Sequence, residues 1–370
     1  RDNSILIRRA DGTLAERIDF AGVGVVSRSL MEAAAFVQDK WVANTKLTID
    51  AGVRFDRDGI ARRNNVAPRV SFMFVPLKNN RTILRGGIGL FYDRTPLSVG
   101  YFSDLPQRIV TGFGPDGISV TDGPRRFNNE IEGQLSNPRS VRWSLQIDRG
   151  ITERLTVRAG YLNRSTTDDF IVNPRVDGPT TGSLIAGSGG RAKYRELQLA
   201  AIYDSPRVGN WTCSYVWSSA RGDLNTVDNF LGDLPAFVVR ANEYGRLPFD
   251  TPHHLLAFGR WKTRYDITVS PSLDIRSGFP FSLVNERLDF IGARNQAGRF
   301  PAFASLDAQV IKGFAIPRFR THRARVGIAV LNIMNRFNPR DLQNNLGSLR
   351  VGQFFNSLGT SVRGKFEMDF

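Results

Sequence analysis

The stretch VRGKFEMDF, Val362 to Phe370, closes the chain and divides its residues into two classes. Val362, Gly364, Phe366, Met368 and Phe370 are apolar or small, while Arg363, Lys365, Glu367 and Asp369 are charged. Side chains of a strand point to opposite faces with period 2, so the stretch reads as a strand with one apolar and one ionic face. A solvated terminus gains nothing from large apolar groups. Something apolar has to receive that face, Phe370 included.

The same alternation recurs along the chain. In KLTIDAGVRFD, Leu47, Ile49, Ala51, Val53 and Phe55 oppose Lys46, Thr48, Asp50, Gly52, Arg54 and Asp56. VRWSLQIDR sets Val141, Trp143, Leu145 and Ile147 against Arg142, Ser144, Gln146 and Asp148. RLTVRAGY, WTCSYVW, YDITVSPSLDI and RARVGIAVLN repeat the theme, and no convincing amphipathic helix interrupts it; AAAFV, Ala33 to Val37, comes nearest.

The connections between these strands alternate in length. Short ones fall near residues 43–45, 76–80, 150–153, 205–208 and 263–264, and long ones near 57–65, 93–138, 164–191, 220–251, 277–301 and 335–357. The link over 313–322 is longer than the pattern asks. In an antiparallel meander successive connections lie at opposite ends, so the short turns share one rim and the long loops the other. Long alternating strands with that asymmetry describe an all-β, transmembrane antiparallel up-and-down β-barrel of outer-membrane type, with about 13–15 strands in this chain. A soluble propeller would show a repeat of roughly 40–50 residues, and none is found. A sandwich sets no rule for loop lengths.

Bulk composition agrees. The chain has 370 residues, and its 50 Lys+Arg against 35 Asp+Glu give a formal charge of +15, scattered over every segment. That scatter speaks against a nucleic-acid interface, which needs a concentrated basic patch. The single cysteine, Cys213, excludes an intrachain disulfide framework and reads as a small apolar filler in an aromatic run. No run of about 18 apolar residues offers a spanning helix. The opening RDNSILIRR carries neither an initiator Met nor an apolar signal core.

Several segments resemble the barrel of TonB-dependent receptors, and most of all its Oar-like branch, often found behind a carboxypeptidase-regulatory-like domain. They include AAFVQDKWVANTKLTIDAGVRFD, NNVAPRVSFMFVP, RTILRGGIGLFYDRTPL, the hairpin from Asn137 to Asp169, YRELQLAAIYDSP, DTPHHLLAFGRW and VLNIMNRFNP. The resemblance implies a barrel of roughly 22 strands filled by a plug that meets TonB. Against that pattern, residues 1–370 read as a barrel segment alone, with a C-terminal strand over 358–370 and neither plug domain nor signal peptide in this chain. RDNSILIRRADGTLAERIDF reads as one more hairpin, turning at Asp11-Gly12. The resemblance also makes Phe370, with Met368 and Phe366, the signal read by the barrel assembly machinery. Expected partners are outer-membrane lipid and lipopolysaccharide, the assembly machinery, TonB through the missing plug, and an unknown ligand; nucleic acid is not among them.

No residue set asks for catalysis or a cofactor. His253 and His254 are adjacent and point opposite ways on a strand, so they cannot share a metal; Asp250 and His322 add little. Asp168-Asp169 reads as a solvated pair at a strand-to-loop transition. RGGIGLFYD lacks the following helix that a phosphate loop needs, so Gly86, Gly87 and Gly89 read as aids to curvature or close packing. Trp41, Tyr92, Trp143, Tyr161, Trp211, Trp217 and Trp261 form the candidate aromatic girdle, with Phe91 and the terminal aromatics beside them. Arg54, Asp56, Arg142, Asp148, Arg158, Glu196 and Arg325 are the candidate lumen residues. Two functions remain open: the barrel of an energy-coupled receptor or transporter for a large or scarce ligand, and an adhesive or structural outer-membrane surface protein.

Overall fold

The computed structural model describes residues 4–22, 27, 29–77, 79–227, 239–315 and 323–369. Thirteen strands among them form one antiparallel meander: β1 (Ala33–Asn44), β2 (Leu47–Arg57), β3 (Asn64–Phe74), β4 (Thr82–Tyr92), β5 (Arg139–Gly150), β6 (Leu155–Val176), β7 (Thr181–Ser205), β8 (Gly209–Asp223), β9 (His253–Lys262), β10 (Ile267–Arg276), β11 (Phe303–Ala315), β12 (Arg323–Leu331) and β13 (Ser361–Asp369). Each pairs with the next in sequence. The outer edges of β1 and β13 pair with no other strand among the described residues, so the sheet is open.

Local chemistry explains the short turns. Between β1 and β2 the Asn44 side-chain oxygen accepts the Lys46 and Leu47 N–H groups at 2.8 and 3.0 Å, an Asx turn. Between β5 and β6 the Thr152 hydroxyl accepts the Arg154 and Leu155 N–H groups at 3.2 and 3.0 Å. Asn80 and Asp266 take positive φ at the β3–β4 and β9–β10 turns, a conformation these two residue types tolerate. The link between β11 and β12, longer than the pattern asks, lies outside the described residues, as does His322.

The opposite rim differs from the sequence expectation. Segment 164–191 reads as a loop in the sequence; instead β6 and β7 run on as a long hairpin of 22 and 25 residues, far beyond the roughly 9–11 a bilayer requires. Asp168 and Asp169 therefore sit inside a strand, at a bulge, and Asp168 pairs with Arg139 at 3.0 Å. The N-terminal hairpin forms as expected, Ile5–Arg8 against Leu14–Ala21 with Gly12 at φ +86, but it does not extend the wall. It joins Gln107–Phe113 and Val120–Ile131 in a second layer that reaches β7 through a parallel pairing at Thr181–Ala186. The buried apolar core lies in this loop-side cap: Val99, Phe102, Phe127, Phe170, Val172 and Leu184 are its centre. One turn of α-helix at Leu97–Gly100 and a 3₁₀ turn after it, Phe102–Asp104, lie in the connection between β4 and β5. The closing strand begins at Ser361 rather than 358, and Phe370 lies outside the described residues.

Candidate functional site

Residues directly opposed in a ladder share a face, so the pairing register carries face assignments from strand to strand. Following it from β2, Arg54 stands opposite Ala67, Asp50 opposite Ser71, Ser71 opposite Gly87, and Gly87 opposite Ser144. Asp148 then faces Arg158, Leu162 faces Glu196, and at the far end Arg325 faces Glu367. The register thus places Arg54, Asp56, Arg142, Asp148, Arg158, Glu196 and Arg325 on one face. Trp41, Tyr92, Trp143, Tyr161, Trp211, Trp217 and Trp261 lie on the other, with Phe366 and Met368. Trp41, Trp211 and Trp261 stand near the short-turn rim, and Tyr92, Trp143 and Trp217 toward the loop rim. Tyr161 is the exception, at mid-strand, where its ring meets Trp143 at 5.1 Å. Cys213 is exposed between Trp211 and Tyr215 on the aromatic face.

The glycines of β4 divide between the faces. Gly87 and Gly89 belong to the charged face. Gly86 lies on the apolar one beneath the Phe72 ring, where a Cβ would come within 2.7 Å of it. The histidines divide likewise: His254 meets Asp274 at 3.0 Å on the charged face, and His253 meets the Tyr215 hydroxyl at 2.8 Å on the other.

The charged face is organised by paired ions. Arg54 forks onto Asp56 through Nε and Nη2 at 2.7–2.9 Å. Asp148, only 7% exposed, accepts hydrogen bonds from Arg158 Nε at 2.8 Å, from Gln146 at 2.9 Å and from Arg85. Glu367 lies between Lys365, at 2.6 Å, and Arg325, at 3.5 Å. Sequence reasoning misses Arg85 because RGGIG draws attention to its glycines; its alternation with Gly87 and Gly89 is the available signal. The face also carries Phe36, Leu162, Leu256 and Phe258, so it is less uniformly polar than the lumen expectation. Phe91, expected beside the aromatic girdle, lies here too, because it alternates with Gly87 and Gly89.

At the loop rim, networks fasten the cap to the wall. Asp58 accepts the Ala61 and Thr95 N–H groups at 2.7 and 3.0 Å and the Asn137 amide at 2.7 Å. Burial raises its affinity for a proton, and these hydrogen bonds outweigh that, holding its carboxyl below the usual range. Arg294, 6% exposed, donates to Asn225 at 2.6 Å and to the Leu224 carbonyl at 3.0 Å, and burial pushes it down to about 10.

A loop tip docks on the N-terminal hairpin. Leu288 packs on Ile7, Ala15 and Ile18, Arg287 donates to Thr121 at 2.9 Å, and Glu286 pairs with Arg9 at 2.9 Å. Glu16 lies beneath this contact. Burial, then the neighbouring Asp289 and Asp122, push its carboxyl up to about 7 against the opposing pull of Arg287. A raised carboxylate is neutral in both folded and unfolded chains below about pH 4.5. Between there and pH 7 the folded cap binds the extra proton, so its stability falls as pH rises and levels off above 7, by about 3 kcal/mol in all. With the intrinsic base-catalysed rise in exchange divided out, the protection of the Leu14–Ala21 amides should accordingly fall between pH 5 and 7, and Glu16→Gln should flatten that protection profile. An unchanged profile in the variant would show that Glu16 is not the group responsible.

Comparison with known proteins bears on this arrangement. Residues 16–333 match the family model described as TonB dependent receptor-like, beta-barrel. The TonB-dependent transporter Oar of Myxococcus xanthus is 21% identical over 82% of this chain and 35% of its own length. The outer membrane transporter YddB of Escherichia coli superposes with a TM-score of 0.67 at 12% identity, over 100% of this chain and 48% of its own. The FrpB iron transporter of Neisseria meningitidis gives 0.59 at 12% identity, over 99% and 54%. A point mutant of the ferric enterobactin receptor PfeA of Pseudomonas aeruginosa gives 0.60 at 12% identity, over 95% and 49%. At such identities the superpositions establish a shared fold. The chain spans about a third to a half of the length of these relatives.

Proposed function

The chain belongs to the TonB dependent receptor-like β-barrel family, and from that premise we propose that it forms the later strands of an energy-coupled receptor that moves a large or scarce ligand across the outer membrane. The family is one of outer-membrane receptors and transporters rather than enzymes, and the chain is an integral outer-membrane β-barrel protein. The observation that carries the proposal is the two-faced, thirteen-strand meander with both edges open. An open edge is untenable in lipid, because unpaired backbone groups have no water to turn to. Further strands of the same protein would close the ring, in keeping with the share of YddB that this chain covers.

In this reading the aromatic face meets lipid, the charged face lines the lumen, and the loop-side cap faces outward toward lipopolysaccharide and ligand. The residues Phe366 and Met368, with Phe370 beyond them, serve recognition by the assembly machinery. Energy reaches the lumen through a plug and TonB. The Oar relative is a TonB-dependent transporter, which supports transport over adhesion.

The test compares spent medium from three strains: wild type, one lacking this protein, and one lacking TonB. Transport requires that the same compounds stay unconsumed, or fail to be released, in both deletion strains. A strain that loses only surface attachment, irrespective of TonB, would replace transport with adhesion.

A further inference from the structure

We propose that Arg69, Arg142 and Arg164 form an anion-binding row on the charged face that takes a carboxylate or phosphate group. The proposal rests on the reading of that face as a receptor lumen. The register sets Arg69 opposite Gly89, Gly89 opposite Arg142, and Arg142 opposite Arg164. Arg69 and Arg142 therefore flank a glycine two strand spacings apart, roughly 10 Å between backbones. Gly89 has no side chain to fill the gap, and a Cβ there would crowd Arg69 Cβ at 3.1 Å and the Phe91 ring at 3.0 Å. A cavity of about 290 Å³ opens at this place, lined by Arg69, Arg142, Phe91 and Asp50 among others. At about 30 Å³ per water it holds a charged headgroup and its nearest atoms, not a whole large ligand.

The charge on this row is poorly answered from within. Arg142 stands directly across from Arg164, and like charges so placed repel. Arg142 rests on the Phe91 ring at 5.1 Å, and its Nε is buried with no hydrogen-bond partner. It makes no ion pair among the described residues. Arg164 spends its Nε on the Ser140 and Thr166 hydroxyls at 3.2 and 3.3 Å and reaches Asp93 only at 3.5 Å. Arg69 holds the neutral Gln38 side chain at 3.0 Å. Asp50, the carboxylate in the cavity wall, is in no ion pair with either arginine. By contrast Arg54, Arg85 and Arg158 on the same face each have a carboxylate in contact. A guanidinium whose Nε is buried and unpartnered, beside a second guanidinium, is costly unless an anion completes it, and a planar fork suits carboxylate or phosphate oxygens.

The source of that anion is either a free ligand or a carboxylate of the protein itself, and one experiment separates them. Inorganic phosphate and succinate are titrated calorimetrically into the full-length protein refolded in detergent, with folding checked by heat-modifiable gel migration. Saturable binding of either probe, weakened about tenfold or more in Arg142→Gln and in Arg164→Gln and partly kept in Arg142→Lys, establishes the site for a free anion. If neither probe binds, but Arg142→Glu lowers the thermal midpoint well beyond Arg142→Gln, a carboxylate of the protein occupies the row. If neither probe binds and the two variants melt alike, the proposal is overturned. Binding in detergent needs neither TonB nor an energised membrane, so a failure of the transport reading leaves this result standing, and the reverse.

Discussion

Val53→Arg should destabilise the refolded barrel by about 2–4 kcal/mol, the cost of an arginine near the midplane of the lipid face. Val53 sits at the middle of β2, with Val37 opposite on β1 and Pro68 opposite on β3. All three belong to the aromatic face, and Val53 is 41% exposed. In hydrocarbon the guanidinium would find no counter-charge and would have to thin the bilayer or reach for the headgroups. One residue on, Arg54 already holds an arginine, on the opposite face and in a fork with Asp56. Arg54→Ala removes that exposed pair and should cost less than about 1 kcal/mol. Refolding titrations in phospholipid vesicles compare the two variants directly. Equal costs would mean that the two faces are misassigned.

Asp148→Ala is the second large effect, with an expected loss of about 2–4 kcal/mol. The carboxylate is nearly inaccessible and joins three strands, taking Arg85 from β4, Gln146 from its own β5 and Arg158 from β6. Its removal leaves two guanidinium groups facing each other without their anion. The figure sits below that of a fully buried pair because both arginine side chains keep solvent contact. A double-mutant cycle with Arg158→Ala should return a coupling of about 1–3 kcal/mol, since the two groups touch. A coupling near zero would show that the pair is a surface contact with no share in holding the strands together.

These predictions were largely legible in the sequence, because a membrane wall obeys a strict rule. Leu47 to Phe55 alternates with Thr48 to Asp56, and a slip of one residue would carry every side chain of the strand to the wrong face. For that reason parity alone put Arg54 and Arg325, nearly the whole chain apart, on a common face. The cap was not legible for the converse reason. In TTDDFIVNPR, Thr166 to Arg175, the strand has run past the length a bilayer requires and Phe170 and Val172 turn into a protein core, so polar residues and Pro174 read as a loop. The pairing of Thr181–Ala186 with Val120–Ile131 joins segments far apart in the chain, and no local pattern announces it. Arg142 shows the limit at a single residue. Its face followed from alternation, but the absence of a partner followed only from seeing Arg164, and not an acid, across the ladder.

The orientation of the wall is the claim on which lumen, lipid face and ligand access all depend, and labelling on intact cells measures it most directly. In a Cys213→Ala background, single cysteines replace Ala293 and Leu349 on the loop rim, or Lys46 and Glu153 on the turn rim. All four positions are exposed. A membrane-impermeant maleimide should label the first pair on intact cells and the second pair only after the outer membrane is opened. Labelling of Lys46→Cys and Glu153→Cys on intact cells, as fast as the loop positions or in their place, would contradict the account.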